Sequence, residues 1–130
     1  GIALKGALEA AESLSRQGLE TAVLHCPTVK PLDAETILDY AAPVSVVVSF
    51  EEHTLIGGLG SAVAEIIAEA GFSPGKRFKR VGIPDMFPDQ YGSQESLMER
   101  FSLTSQELIS TVVRLAEESP LGQPSLTKGP

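Results

Sequence analysis

Leu4, Leu8, Ala11 and Leu14 recur at helical spacing, and Gly18 stands where a C-terminal glycine ends a helix, which predicts a helix over residues 4–17. The short apolar run TAVLH, residues 21–25, reads as a strand that Pro27 halts. Asp33 is a good N-cap for DAETILDYAA, residues 33–42, which Pro43 closes. VSVVVSF, residues 44–50, is apolar at both parities, the pattern of a strand covered on both faces as in a parallel sheet. Beyond it the pattern predicts a helix from Leu59 to Ala70 ending at Gly71, a strand over residues 78–83, and a turn-rich loop, PDMFPDQYGS. Two final helices are expected: QESLMERF, capped by Ser93, and a second opened by a Thr104/Glu107 capping box and running to about Glu118. Residues 119–130 hold three prolines and two glycines and are expected to form a flexible tail.

This alternation implies right-handed crossovers and an α/β fold of three layers, helices on both faces of a mostly parallel sheet. Such a fold should begin with a strand, yet this sequence begins in a loop or helix. At 130 residues, the chain is in the range of one domain. The hydrophobic fraction of 42%, the charged fraction of 21% and a mean hydropathy of +0.09 are those of a globular protein. No apolar run reaches the roughly 20 residues of a membrane span, and residues 1–14 lack the pattern of a signal peptide. The lone Cys26 fits a reducing compartment, so a cytoplasmic location without membrane attachment is expected. A formal charge of -7 repels nucleic acid at long range, and none is expected as a partner. Lys76, Arg77, Lys79 and Arg80 form the one basic cluster, read as a solvated strand entrance ahead of a phosphate site.

The candidate chemistry lies in EEHTLIGGLGSAVAEIIAEAG, residues 51–71. Gly57, Gly58 and Gly60 ahead of a helix resemble a dinucleotide fingerprint, in which a pyrophosphate meets the helix N-terminus. The match is poor, because six residues separate strand from glycines, the third glycine is missing, and no acidic residue ends the next strand. Close packing of the helix is the better reading, with a bulky residue at Gly58 expected to damage folding. Glu51, Glu52 and His53 end a buried strand, where α/β folds place functional groups. Adjacent residues point apart, no nucleophile is fixed nearby, and a second histidine at ligand spacing is absent. A structural hydrogen bond or an interface role therefore outweighs a place on the rim of a larger active site, and autonomous catalysis or metal binding ranks last. His25 is read as a satisfied histidine at a sheet edge, and Cys26 as buried and unreactive.

Several stretches in order carry a family resemblance. Lys30-Pro31-Leu32-Asp33, Glu51-Glu52-His53 with Gly57-Gly58-Leu59-Gly60-Ser61-Ala62-Val63, and Gly82-Ile83-Pro84-Asp85 followed by Gly92-Ser93 resemble the C-terminal domain of transketolase-type, thiamine-diphosphate-dependent enzymes, from residue 1 to about 118. The wording of EEH and GGLG is most similar to the C-terminal subunit of split bacterial transketolases. Deoxyxylulose-phosphate synthase and the pyruvate dehydrogenase beta subunit are the alternatives, as is an autonomous, non-catalytic binding module of the same fold.

The resemblance implies transfer of a two-carbon ketol unit between sugar phosphates, in the pentose phosphate context, by an enzyme of which this segment is a part. Thiamine diphosphate and a divalent metal such as Mg are then bound between upstream diphosphate-binding and pyrimidine-binding domains or a separate subunit. The glutamate that activates the cofactor belongs to the pyrimidine-binding domain, so neither Glu51 nor Glu52 inherits its role, and no catalytic, cofactor-binding or metal-binding residue is expected here. Glu51, Glu52, His53, Gly57, Gly58 and Gly60 become candidates for an interface or an active-site rim in a homodimer or heterotetramer. The resemblance further implies an N-terminally truncated domain over residues 1–118 that lacks the first strands of its sheet. One of these would lie between the strands ending at His25 and Phe50, either removed or supplied by another molecule.

Overall fold

The computed structural model describes residues 2–27, 31–51, 58–82 and 94–118. Among these residues four helices and two strands follow in the order α1 (Ile2–Arg16), α2 (Ala34–Ala41), β1 (Val46–Glu51), α3 (Leu59–Ala70), β2 (Arg77–Gly82) and α4 (Gln94–Glu118). β1 and β2 pair in parallel with Val46 opposite Arg77 and Glu51 opposite Gly82. The expected α/β architecture with a parallel sheet is what the chain adopts.

Side chains alternate across the sheet, so each strand serves two helix layers. On one face Val47 and Phe78 pack onto a core of Ile37 and Ala41 from α2 and Val63 and Ile67 from α3. On the other face α1 and α4 lie side by side over β1. Gly6, Ala10 and Leu14 form a narrow buried stripe on α1 that faces Ser105, Leu108, Thr111 and Leu115 of α4. The absence of a side chain at Gly6 matters here, because a Cβ at that position would stand 3.2 Å from Cε2 of Phe50. The Ser105 hydroxyl donates to the Gly6 carbonyl at 3.4 Å across the same contact.

Helix ends follow their local chemistry. Gly18 takes a left-handed φ of 88°, and the N–H groups of Gly18 and Leu19 close onto the carbonyls of Ser15 and Leu14, a Schellman ending for α1. Gly71 ends α3 in the same backbone region, with φ 65°. Asp33 caps α2 by accepting from the Thr36 N–H at 3.1 Å and the Thr36 hydroxyl at 2.8 Å.

Two expectations are corrected. Residues 21–26 are irregular and not a strand. Val23 is half-buried while Leu24 and His25 are exposed, and a strand exists only where a neighbour takes its backbone hydrogen bonds. The two predicted C-terminal helices are a single helix, α4. Thr104 and Glu107 sit inside it, because no Gly or Pro interrupts residues 94–118 and the buried stripe of Ser105, Leu108, Thr111 and Leu115 carries the helix straight through. The Ser93 cap, the loop over residues 83–93 and the tail over residues 119–130 lie outside the described residues. Among the described residues no helix is long and apolar enough to cross a membrane.

Candidate functional site

The carboxyl end of β1 delivers Glu51 to the N-terminus of α3. Glu51 is 9% exposed, and its two carboxylate oxygens accept from two successive backbone N–H groups, Oε1 from Leu59 at 2.9 Å and Oε2 from Gly60 at 2.8 Å. The first N–H groups of any helix lack internal partners and carry its positive dipole end. The residue at the N-cap position, Gly58, has no side chain to meet that need. A carboxylate eight residues upstream supplies the cap instead, and it occupies the seat in which a helix N-terminus would otherwise hold an anionic oxygen.

Gly60 is where this arrangement leaves no space. A Cβ there would stand 2.7 Å from Cγ and Cδ of Arg80 and 2.7 Å from Glu51 Oε2. The Arg80 stem thus lies across the glycine, and its guanidinium donates to the Ser61 hydroxyl at 3.2 Å. Gly58 has an ordinary extended backbone, φ -96°. The close approach is seen at Gly60.

Of the six candidate residues, the structure brings Glu51, Gly58 and Gly60 together around the α3 terminus. Glu52, His53 and Gly57 lie outside the described residues. Ser49 shares the face of Glu51, 6% exposed, and its hydroxyl has no hydrogen-bond partner among the described residues.

The basic cluster does not act as one patch. Lys76 donates from Nζ to the carbonyls of Ala42 and Val44 at 2.8 and 2.6 Å, just past the end of α2, with Phe72 beneath it at 4.5 Å. Arg77 reaches the other way, donating from Nη2 to the Glu118 carbonyl at 2.7 Å, with its Nη1 3.8 Å from the Glu118 carboxylate. Strand alternation sends Arg80 to the α3 face and Arg77 to the α4 face, so the cations cannot converge on one anion. Sequence reasoning missed these roles, although the parity of residues 76–80 and the glycine at position 60 carried the signal.

His25 is exposed. Cys26 is half-buried against the α2–α3 core, where burial first and the nearby Asp33 carboxylate second push its thiol pKa up, away from reactivity. Among the described residues no three His, Cys, Asp or Glu side chains gather as a metal site.

The sequence model for "Transketolase, C-terminal domain" matches residues 1–108. A 6-deoxy-6-sulfo-D-fructose transketolase subunit of Clostridium sp. is 40% identical over 117 residues, covering 90% of this chain and 35% of its own length. A 1-deoxy-D-xylulose-5-phosphate synthase of Geobacter sulfurreducens is 45% identical over 97 residues, 75% of this chain and 15% of that protein. A solved structure described as a split gene transketolase, inactive beta4 tetramer, superposes with TM-score 0.67 at 33% identity, covering 87% of this chain and 34% of the other. The chain thus spans about a third or less of the proteins it matches. With the sequence model covering most of its length and the fold agreeing, the chain belongs to the family of transketolase C-terminal domains.

Proposed function

We propose that residues 1–118 serve as the C-terminal structural and assembly domain of a thiamine-diphosphate-dependent transketolase that moves a two-carbon ketol unit between sugar phosphates. The observation that carries this reading is the Glu51 clamp: the one strongly polar group placed at the carboxyl end of β1 among the described residues is consumed in holding α3. The α3 terminus does not fit a diphosphate, because Glu51 fills the seat. No step of the reaction is assigned to this chain. Thiamine diphosphate and its divalent metal, such as Mg, belong in this reading to pyrimidine-binding and diphosphate-binding domains or a partner subunit, in a cytoplasmic homodimer or heterotetramer.

Purifying the chain alone and together with those parts tests the reading. Ketol transfer is expected from the assembled protein, with no thiamine diphosphate binding by the chain alone in calorimetry. Micromolar binding of the cofactor to the chain alone sinks the assignment.

The 45% identity to a deoxyxylulose-phosphate synthase supports a second reading, the same domain in an enzyme of that class. Release of carbon dioxide from pyruvate by the assembled protein would select it, whereas turnover of ketose phosphate without carbon dioxide selects the first.

A further inference from the structure

The amino end of the sheet carries a groove. The α2–β1 connection contributes Pro43 and Val44 to it, the α3–β2 connection contributes Phe72, Pro74 and Lys76, and together they enclose a cavity of about 380 Å³. Pro43, Val44 and Pro74 are exposed, while Phe72 is half-buried where it packs against the α2–α3 core. Tyr40, in the last turn of α2, is exposed as well. Apolar side chains gathered at one place on a surface mark a docking site in a way that scattered ones do not.

Lys76 decides what kind of occupant fits. An ammonium has three hydrogens to donate. Lys76 gives one each to the carbonyls of Ala42 and Val44, at 2.8 and 2.6 Å, and lies 4.5 Å over the Phe72 ring. Most of its bonding capacity is spent on the end of α2, and the rest of the lining is apolar or hydroxyl. An occupant is therefore held by apolar contact and not by an acidic group. The groove is also open to solvent, whereas small-ligand sites enclose most of the ligand's surface. A stretch of polypeptide suits it better than a small molecule.

One such stretch starts beside it. Arg77, next to Lys76, holds the end of α4 by the Glu118 carbonyl at 2.7 Å and the Glu118 carboxylate at 3.8 Å. The chain is thus released from α4 one arginine side chain away from the strand that borders the groove. The residues that follow, SPLGQPSLTKGP, lie outside the described residues. Twelve extended residues reach at most about 40 Å, ample for the short crossing. Pro120, Leu121, Pro124 and Leu126 supply apolar groups, and proline-containing chain is pre-organised for docking on aromatic-lined grooves at little ordering cost. Charge agrees: α2 exposes Glu35 and Asp39 with no basic residue in its last turn, and the segment carries Lys128 and no acid. The match to the family model ends at residue 108, so the segment is no part of that shared pattern. We propose that residues 120–126 dock in this groove as an extended strap, with leucine and proline side chains against Val44, Phe72 and Pro74. The strap ties the end of α4 to the α2–α3 layer across the amino end of the sheet.

Proton NMR of the full 130-residue chain tests it. In a monomeric sample, nuclear Overhauser contacts are expected between the Val44 methyls or the Phe72 ring and the side chains of residues 120–126. Leu121→Ser together with Leu126→Ser changes no residue of the described core, so docking is read without disturbing the fold. This pair should lower the docked-to-free ratio about tenfold, the equilibrium equivalent of losing one buried leucine side chain. The Val44 and Phe72 resonances should then move toward their positions in a chain ended at Glu118. Missing contacts in the unaltered chain, or groove resonances that ignore the substitutions, leave the segment free and overturn the strap. Contacts found only between labelled and unlabelled copies assign the groove to a second copy. Resonances that shift only when the other parts of the parent protein are added assign it to a partner. Either result also overturns the proposal, and none of these readouts depends on turnover.

Discussion

The two ends of the sheet solve the same problem with opposite charges and different burial. At the carboxyl end the Glu51 carboxylate, almost fully buried, meets two N–H donors at the start of α3. At the amino end Lys76 meets the carbonyls just past α2, and Arg77 meets the last carbonyl of α4, both from wetter positions. Each sign matches the helix end it serves, anion at the N-terminus and cation at the C-terminus. The contrast teaches that sign sets the partner, and burial is expected to set the energy: charges that look equivalent along the sequence should differ several-fold in what their removal costs.

Removing Glu51 should have the largest effect. Glu51→Ala leaves one buried and one part-buried N–H donor unpaired and is expected to destabilise the chain by about 2–3 kcal/mol in urea unfolding, with Glu51→Gln losing roughly half of that because one oxygen remains. A loss below about 0.5 kcal/mol for Glu51→Ala breaks the comparison at its strong end. Gly60→Ala comes next, at about 1–2 kcal/mol, since the new methyl must push aside Glu51 or the Arg80 stem; the companion Arg80→Ala should recover part of that loss if the stem is the obstacle. Arg77→Ala is expected to cost about 1 kcal/mol and to raise amide exchange in the last turn of α4, where the Glu118 contact is lost. Lys76→Met should cost about 0.5 kcal/mol, because it keeps the stem packed near Phe72 and removes solvated bonds to carbonyls. A Lys76 effect equal to that of Glu51 would show that burial does not decide.

The smallest effect belongs to the fully exposed cap of α2. The Thr36 hydroxyl and then the Thr36 N–H hold the Asp33 carboxyl below the ordinary value of 3.8. A lowered folded pKa means that the cap contributes in full above the unfolded value and is lost as pH falls through the folded one. Protonation of Asp33 followed by carbon NMR should therefore fall below pH 3.8, with fraying of α2 in the same window. Thr36→Val should return the carboxyl toward its ordinary value.

Much of the fold was legible because its signals are local. The Asp33 cap, the valine run of β1 and the Gly71 stop predicted α2, β1 and α3 to within about two residues of where they lie. α4 was split in the reading because a capping box is a four-residue pattern, whereas the continuity of its buried stripe shows only against α1. The strand read at residues 21–25 failed for the complementary reason: an apolar run specifies a strand only when a neighbour accepts its hydrogen bonds. The site was half legible. Position marked Glu51, but no spacing rule announces a side chain that caps a helix eight residues away, and the parity that divides Lys76, Arg77 and Arg80 among three tasks acquires meaning only once the register with β1 is known.

The Glu51 clamp also ties strand to helix. Shortening that one side chain to glycine would expose two convergent N–H groups at a helix start, beside a serine hydroxyl and an arginine already stretched across Gly60. The α3 N-terminus thus holds an anion of the chain's own, the Glu51 carboxylate, supplied from the strand that precedes the helix.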